Sequence, residues 1–250
     1  MASPDPLRAT WLGRLDYLDA WRLQEAVATR LREGGPERLL LLEHPPVYTI
    51  GRRGTLEHIL VPPDALRAVG ASVYRVDRGG DITYHGPGQL VGYPITRLGE
   101  RDDLVAYVRA LERGIGDALA AYGVAARSEP GKTGVWVDLP DARPAKIAAI
   151  GVRVSRGVTT HGFALNVSTE LAAFERMLPC GFAHEVASLA RLGVETDLRD
   201  VASTCATALA RQLGRALAWD DALARAADAE IPADAPVRSS RDLLQEAVPA

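Results

Sequence analysis

The sequence predicts an α+β fold, with a mixed, largely antiparallel sheet and helices packed on it. Short apolar runs of strand length follow one another with no helix between them, at 38–42 and 47–50 and again at 146–154 and 162–167. Amphipathic stretches of helical length are few and widely spaced. Regular strand–helix alternation, the mark of a parallel sheet, is missing.

Taken in order, residues 11–15 read as a short strand, and Asp16 caps a helix to about Arg32 with Leu23, Val27 and Leu31 at helical spacing. Gly34-Gly35-Pro36 stops it. The run 38–42 is short enough for a buried strand, and 47–50 continues as a second extended piece into Gly51-Arg52-Arg53-Gly54. Pro62-Pro63 opens a short helix through Leu66. Asp102 or Asp103 starts the next helix, to Tyr122, with Leu104, Val108, Leu111, Ile115 and Leu119 on one face. Residues 135–137 form a strand. The runs 146–154 and 162–167 are two strands around a Ser155-Arg156-Gly157 turn, and a last helix spans 198–217. No internal repeat is visible. The expected organisation is one domain over 1–225, with a weakly ordered Asp/Ala/Pro-rich tail over 226–250.

The 250 residues can bury a substantial core. A net charge of −3 offers no basic field for nucleic acid and no polybasic membrane patch. No apolar run reaches the roughly 20 residues that span a bilayer. The first ten residues lack the layout of a secretory signal. Cys180 and Cys205 have no zinc-ligand spacing and suggest no disulfide framework, so a reducing, cytoplasmic setting is expected, without metal or cofactor. Of 29 basic residues only Lys132 and Lys146 are lysines. Arginine replaces a surface lysine in nearly everything except losing a proton near neutral pH, which draws attention to these two positions.

The densest chemistry lies in Arg78–Tyr93, RGGDITYHGPGQLVGY, where five of sixteen residues are glycine. Apolar strand-like runs at 72–76 and 90–95 bracket it. Glycine lets backbone N–H groups approach a ligand closely, so the segment reads as a ligand-lining wall or as a long glycine-rich hairpin. Downstream, Lys146 opens an apolar strand, either snorkelling at its edge or partly buried for a purpose. Pro179-Cys180-Gly181 sets a cysteine in a turn, where its sulfur can be presented, whereas Cys205 sits in a helical run. His44, before two prolines, reads as structural. His85 reads as a proton shuttle or as a wall residue that orients Arg78 or the loop. Pro130–Gly134, PGKTG, is not a phosphate loop, because the required first glycine falls at Ala126 and a strand follows.

The block RGGDITYHGPGQ, followed in order by KIAAIG, GFALN and PCG, resembles the lipoyl(octanoyl) transferase family from about Leu12 to Leu217. The family fold is similar to the catalytic domain of biotin and lipoate protein ligases. The resemblance implies that Cys180 carries the acyl group as a thioester and that Lys146 lowers the pKa of its thiol. It also implies an acyl site lined by Arg78, Gly79, Gly80, Asp81, Ile82, Thr83, Tyr84 and His85, by Ala149, Ile150 and Gly151, and by Gly162, Phe163 and Ala164. Ala149 stands where the family often has serine. The implied reaction moves octanoyl from acyl carrier protein to lysines of lipoyl domains, in 2-oxoacid dehydrogenase complexes and the glycine cleavage H protein. The chemistry is coherent: an ammonium near a thiol favours the thiolate, glycine-rich N–H groups can hold an oxyanion, and a slot lined by Ile150 and Phe163 would hold a medium chain at about 0.8 kcal/mol per CH₂. An ATP-dependent lipoate or biotin ligase and a non-catalytic acyl-chain binding module are the competing readings.

Overall fold

The structure is a computed structural model and describes residues 5–98, 104–178 and 185–224. Strand β1 (Leu7–Arg14) leads into helix α1 (Tyr17–Arg32), capped as expected by Asp16, whose carboxylate accepts from the Leu18 N–H at 2.9 Å. Then come β2 (Arg38–Glu43), β3 (Val47–Ile50), α2 (Pro63–Ala68), β4 (Ser72–Arg75), β5 (Ile82–His85) and β6 (Gln89–Ile95). Helix α3 (Leu104–Ala120) precedes the hairpin strands β7 (Arg127–Glu129), β8 (Lys132–Asp138), β9 (Pro144–Ser155) and β10 (Val158–Asn166). The two-residue β11 (Glu185–Val186), helix α4 (Leu198–Gln212) and β12 (Leu217–Trp219) follow.

The strands form two sheets. The larger runs β12-β1-β2-β6-β10-β9-β8-β7, with β11 lying parallel to the start of β9. It is antiparallel from β2 to β7 and parallel at the β12-β1-β2 edge. The smaller runs β4-β3-β5. The fold is therefore α+β with a mixed, largely antiparallel sheet. Helices α3 and α4 cover one face of the large sheet, burying Leu111, Ile115 and Leu209 with Leu39, Leu165 and Phe163. Helix α1 covers part of the other face, where Leu23, Val27 and Leu31 meet Leu40, Val91, Tyr93 and Ala164.

Two elements differ from expectation. The segment after Arg78 is not a hairpin, since β5 and β6 lie in different sheets. It contains β5, which pairs antiparallel with β3, and Ile82 and Tyr84 fill the small sheet's core. Glycine density hid a four-residue strand whose alternation is too short to be read. The last helix ends at Gln212, because Gly214 takes a positive φ of 68°, and 217–219 form an edge strand instead. The expected capping residues of α3, Asp102 and Asp103, and the tail over 226–250 lie outside the described residues. Among the described residues no helix is long and apolar enough to cross a membrane.

Candidate active site

Lys146 reaches its place through a β-bulge. Across β8 and β9, Val135 pairs with Ala148 but Trp136 pairs with Lys146, so Ile147 is an extra residue. Simple alternation would put Lys146 on the face of Ala148 and Ile150, which belongs to the α3–α4 core. The bulge turns it to the opposite face, with Ala149 and Gly151. There the Lys146 ammonium sits 4.9 Å from the centroid of the Trp136 ring, and Lys132 lies 5.2 Å from the same ring. A side chain on Gly134 would press against the Lys146 methylenes at 3.3 and 3.4 Å. Gly134 is itself held by its N–H, which donates to the buried Glu112 carboxylate at 3.0 Å. Lys146 is thus half-buried along the sheet and not snorkelling from an edge.

The glycine-rich segment lies on that face. Gly79 N–H donates to Val152 O at 3.0 Å, and a Cβ on Gly151 would fall 2.9 Å from Gly79 O and 3.2 Å from Arg78 Cδ. Gly162 is paired with Gly151 but is bare for a different neighbour, since a Cβ there would fall 2.1 Å from Gly92 O and 2.6 Å from Pro94 Cδ. The Arg78 guanidinium is buried and donates to Thr49 O at 2.6 Å, Thr49 Oγ1 at 2.9 Å and Gly79 O at 3.0 Å. Asp81 has a clear structural role: it accepts from Ile82 N–H at 2.7 Å and meets His58 Nδ1 at 2.8 Å, fixing the turn. Loop 51–54 zips onto the segment through Gly51, Arg52 and Arg53 N–H groups, each 3.1 Å from its acceptor on Asp81, Arg78 and Gly80.

The expected lining residues therefore separate. Arg78, Gly79, Gly80, Ala149, Gly151, Gly162 and Ala164 belong to the Lys146 side of the sheet. Ile150 and Phe163 do not line a slot there. They pair with each other on the opposite face and pack in the α3–α4 core, Phe163 lying over Gly92. Ile82 and Tyr84 face the small-sheet core, with Tyr84 5.6 Å from the Phe174 ring. Thr83 and His85 alternate to the other side of β5. Cys180 lies outside the described residues. Cys205 is buried in α4, and burial pushes its thiol up to about 12.

Three histidines gather beside this face. His85 is stacked on Tyr17 at 6.0 Å, and its Nδ1 lies 2.8 Å from Gln89 Oε1, so its partner is Gln89 and not Arg78. Burial, then the neighbouring His44 and Arg78, lower its pKa well below the usual histidine value. His44 is fully buried. Leu15 O, 2.7 Å from Nδ1, can only accept, so Nδ1 carries the proton and Nε2 accepts from Tyr93 OH at 2.7 Å. Burial lowers its pKa to about 4, consistent with the structural role its sequence setting suggests.

Sequence reasoning missed the third. His161 has a positive φ of 58° and meets Asp77 Oδ1 at 2.8 Å, while Asp77 Oδ2 pairs with Arg153 at 2.9 Å. Burial would raise the Asp77 carboxyl, but His161 and Arg153 outweigh it and hold it below the usual range. Burial keeps His161 low in spite of Asp77. One signal was available: Asp77 immediately precedes Arg78, and His161 immediately precedes Gly162.

The family described as lipoyl protein ligase A/B catalytic domain matches residues 16–210, most of the chain and nearly all of the elements that build this site. The chain belongs to that family. It is 52% identical over 192 residues to an octanoyltransferase of Solibacter usitatus, covering 76% of this chain and 85% of the relative. It is 47% identical over 205 residues to an octanoyltransferase of Gloeobacter violaceus, covering 81% and 88%. A third octanoyltransferase, from Mycobacterium leprae, is 47% identical over 221 residues, covering 86% and 92%. Among solved structures the fold matches a lipoate-protein ligase A bound with ATP, with a TM-score of 0.72 over 89% of this chain and 94% of that one at 19% identity. A bipartite lipoate protein ligase from Thermoplasma acidophilum gives 0.71 over 90% and 92%, also at 19% identity.

Proposed function

We propose that this chain is an octanoyltransferase of protein lipoylation, moving octanoyl from acyl carrier protein to a lipoyl-domain lysine through a thioester on Cys180. The acceptors in this reading are the lipoyl domains of 2-oxoacid dehydrogenase complexes and the glycine cleavage H protein. Residues 1–225 act as one catalytic domain and 226–250 as a tail. The observation that carries the reading is the setting of Lys146. The bulge at Ile147 turns it to the glycine-lined face, and its backbone pairs with Val186 in the strand that follows the Cys180 segment. The near-side end of that segment is anchored as well, since Leu178 N–H donates to His58 O at 2.9 Å. The octanoyltransferase relatives, about half identical over most of their length, support the same substrate class.

The steps balance as follows. Lys146 takes the Cys180 proton, leaving a thiolate beside an ammonium. The thiolate attacks the carrier thioester carbon, the carrier sulfur leaves, and it takes the proton back from Lys146. Cys180 now holds the octanoyl group and Lys146 is neutral. The acceptor amine attacks that thioester, gives one proton to Lys146 and expels the Cys180 thiolate as the amide forms. Backbone N–H groups of the glycine-rich segment are candidates for the oxyanion. Exchange between thioesters is near thermoneutral and amide formation is downhill, so no nucleotide is needed.

Intact-mass spectrometry after mixing the chain with octanoyl-acyl carrier protein tests this. One hydroxylamine-labile octanoyl adduct should map to Cys180, and Cys180→Ala should form none. An adduct on Cys205, turnover by Cys180→Ala, or an acyl-adenylate from free octanoate and ATP would overturn the reading.

A further inference from the structure

Strand β8 is irregular on both of its edges, and both irregularities fall beside Lys146. Towards β7, Glu129 pairs with Lys132 and Arg127 with Trp136, so Ser128 alone faces Thr133, Gly134 and Val135. Towards β9, the extra residue Ile147 lies between the partners of Val135 and Trp136. Gly134 stands at the centre of the first gap with a positive φ of 123°, a conformation that residues with side chains disfavour. The carboxylate of Glu112, buried on α3, bridges that gap. Its Oε1 accepts from Gly134 N–H at 3.0 Å and its Oε2 from Ser128 Oγ at 2.8 Å, and Arg109, one turn earlier on α3, pairs with it. One side chain thus ties both sides of the break in the β7–β8 ladder, and its buried charge is balanced by a cation and two hydrogen bonds.

We infer that Glu112 is a positioning residue for Lys146, acting through Gly134. This rests on the proposed acyl transfer, in which Lys146 moves the protons. A Cβ on Gly134 would lie 3.3 Å from Lys146 Cε, 3.4 Å from Lys146 Cδ and 2.6 Å from Ala148 O. The bare Gly134 backbone is therefore the bed for the last two methylenes of Lys146. Trp136, two residues further along β8, sets its ring 4.9 Å from the ammonium. A lysine side chain has many rotamers, so a base at its tip needs such walls to keep one direction. Glycine is poorly suited to hold that wall unaided, because it loses more conformational freedom on ordering than any other residue. The hydrogen bond from Gly134 N–H to Glu112 supplies the missing restraint. With its charge balanced by Arg109, Glu112 acts by geometry, and an uncharged acceptor of the same shape can replace it.

The test uses the scarcity of lysine, since the sequence holds only Lys132 and Lys146. The full chain is labelled with trace acetic anhydride, and the rate at each lysine is read by peptide mass. Lys132 is exposed and has little access to gain, so it is the internal reference. In the parent, Lys146 should label more slowly than Lys132. Glu112→Leu, which removes the acceptor, should bring the Lys146 rate up to that of Lys132. Glu112→Gln, which keeps an oxygen for Gly134 N–H, should restore the parent rate. Equal rates at the two lysines in the parent overturn the inference, so the outcome does not depend on whether Glu112→Leu folds. An unchanged Lys146 rate in that variant, or an equal rise at both lysines, also overturns it. Labelling does not involve the reaction, so failure of octanoyl transfer is recognised separately. In kinetics, Glu112→Leu should slow turnover about 10–10²-fold, with KM for octanoyl-acyl carrier protein little changed and Glu112→Gln restoring most of the rate. A rise in KM at unchanged turnover would show a packing role only and overturn the assignment.

Discussion

The two faces of the β9–β10 ladder are built from one pair of strands and have opposite contents. On the α3–α4 side, Ala148, Ile150, Val152, Phe163 and Leu165 interlock with Leu111, Ile115 and Leu209. On the other side, beyond the part that α1 covers, stand Lys146, Ala149 and Gly151, with the backbone of Arg78 and Gly79 laid on Gly151. The first face gains stability by filling space with side chains. The second gives up that gain. Removing side chains brings main-chain groups and one lysine to a surface where a large residue would block approach. Stability and chemistry are thus separated by the thickness of a single sheet, and substitutions on the two faces should fail in different ways.

The largest effect should come from Lys146→Ala. Transfer should fall by about 10²–10⁴-fold, the range for losing a positioned acid–base group, while the thermal midpoint moves little. Lys146→Arg should retain part of acyl-enzyme formation and lose acyl-enzyme decay, because arginine keeps the charge but is not a base at working pH. Equal losses of both half-reactions in this variant would reduce Lys146 to a positioning group.

Leu165→Ala, on the filled face, should cost about 2–5 kcal/mol of folding stability through lost burial and the cavity left behind. Its rate per folded molecule should stay near the parent value. Denaturant unfolding and active-site titration measure the two quantities, and a large loss of rate per folded molecule would end the separation of the faces.

Gly151→Ala sits between these cases. The new Cβ would lie 2.9 Å from Gly79 O, so the Arg78 segment must shift. A stability loss of about 1–3 kcal/mol is expected for such overpacking, together with a raised KM for the acyl donor. An unchanged KM would detach the segment from substrate binding.

The smallest effect is a pH dependence beside the bare face. His44 has a folded pKa of about 4 against 6.5 for the free side chain. Below about pH 6.5 the unfolded chain takes up a proton that the folded one refuses, so stability falls as the pH drops toward 4. At pH 5.5 the loss from His44 is about 1.4 kcal/mol, and His85 and His161, also lowered, act in the same direction. Urea midpoints at pH 7 and 5.5 measure it. Equal midpoints would show that His44 is protonated in the fold.

The sequence by itself determined most of the skeleton. Periodicity found α1 with its Asp16 cap, the strands β2 and β3, the long hairpin of β9 and β10, and the buried helical Cys205, because each rests on contacts a few residues apart. The scarcity of lysine and the glycine-rich block pointed to the right neighbourhood. Tertiary structure decided which way the residues face. The bulge at Ile147 moved Lys146 across the sheet, an effect of pairing with β8 that no local pattern records. Alternation then sent Ile150 and Phe163 to the core, although they stand beside site residues in the chain. Asp77 and His161 are 84 residues apart and meet only when the Arg78 segment lies on β9 and β10.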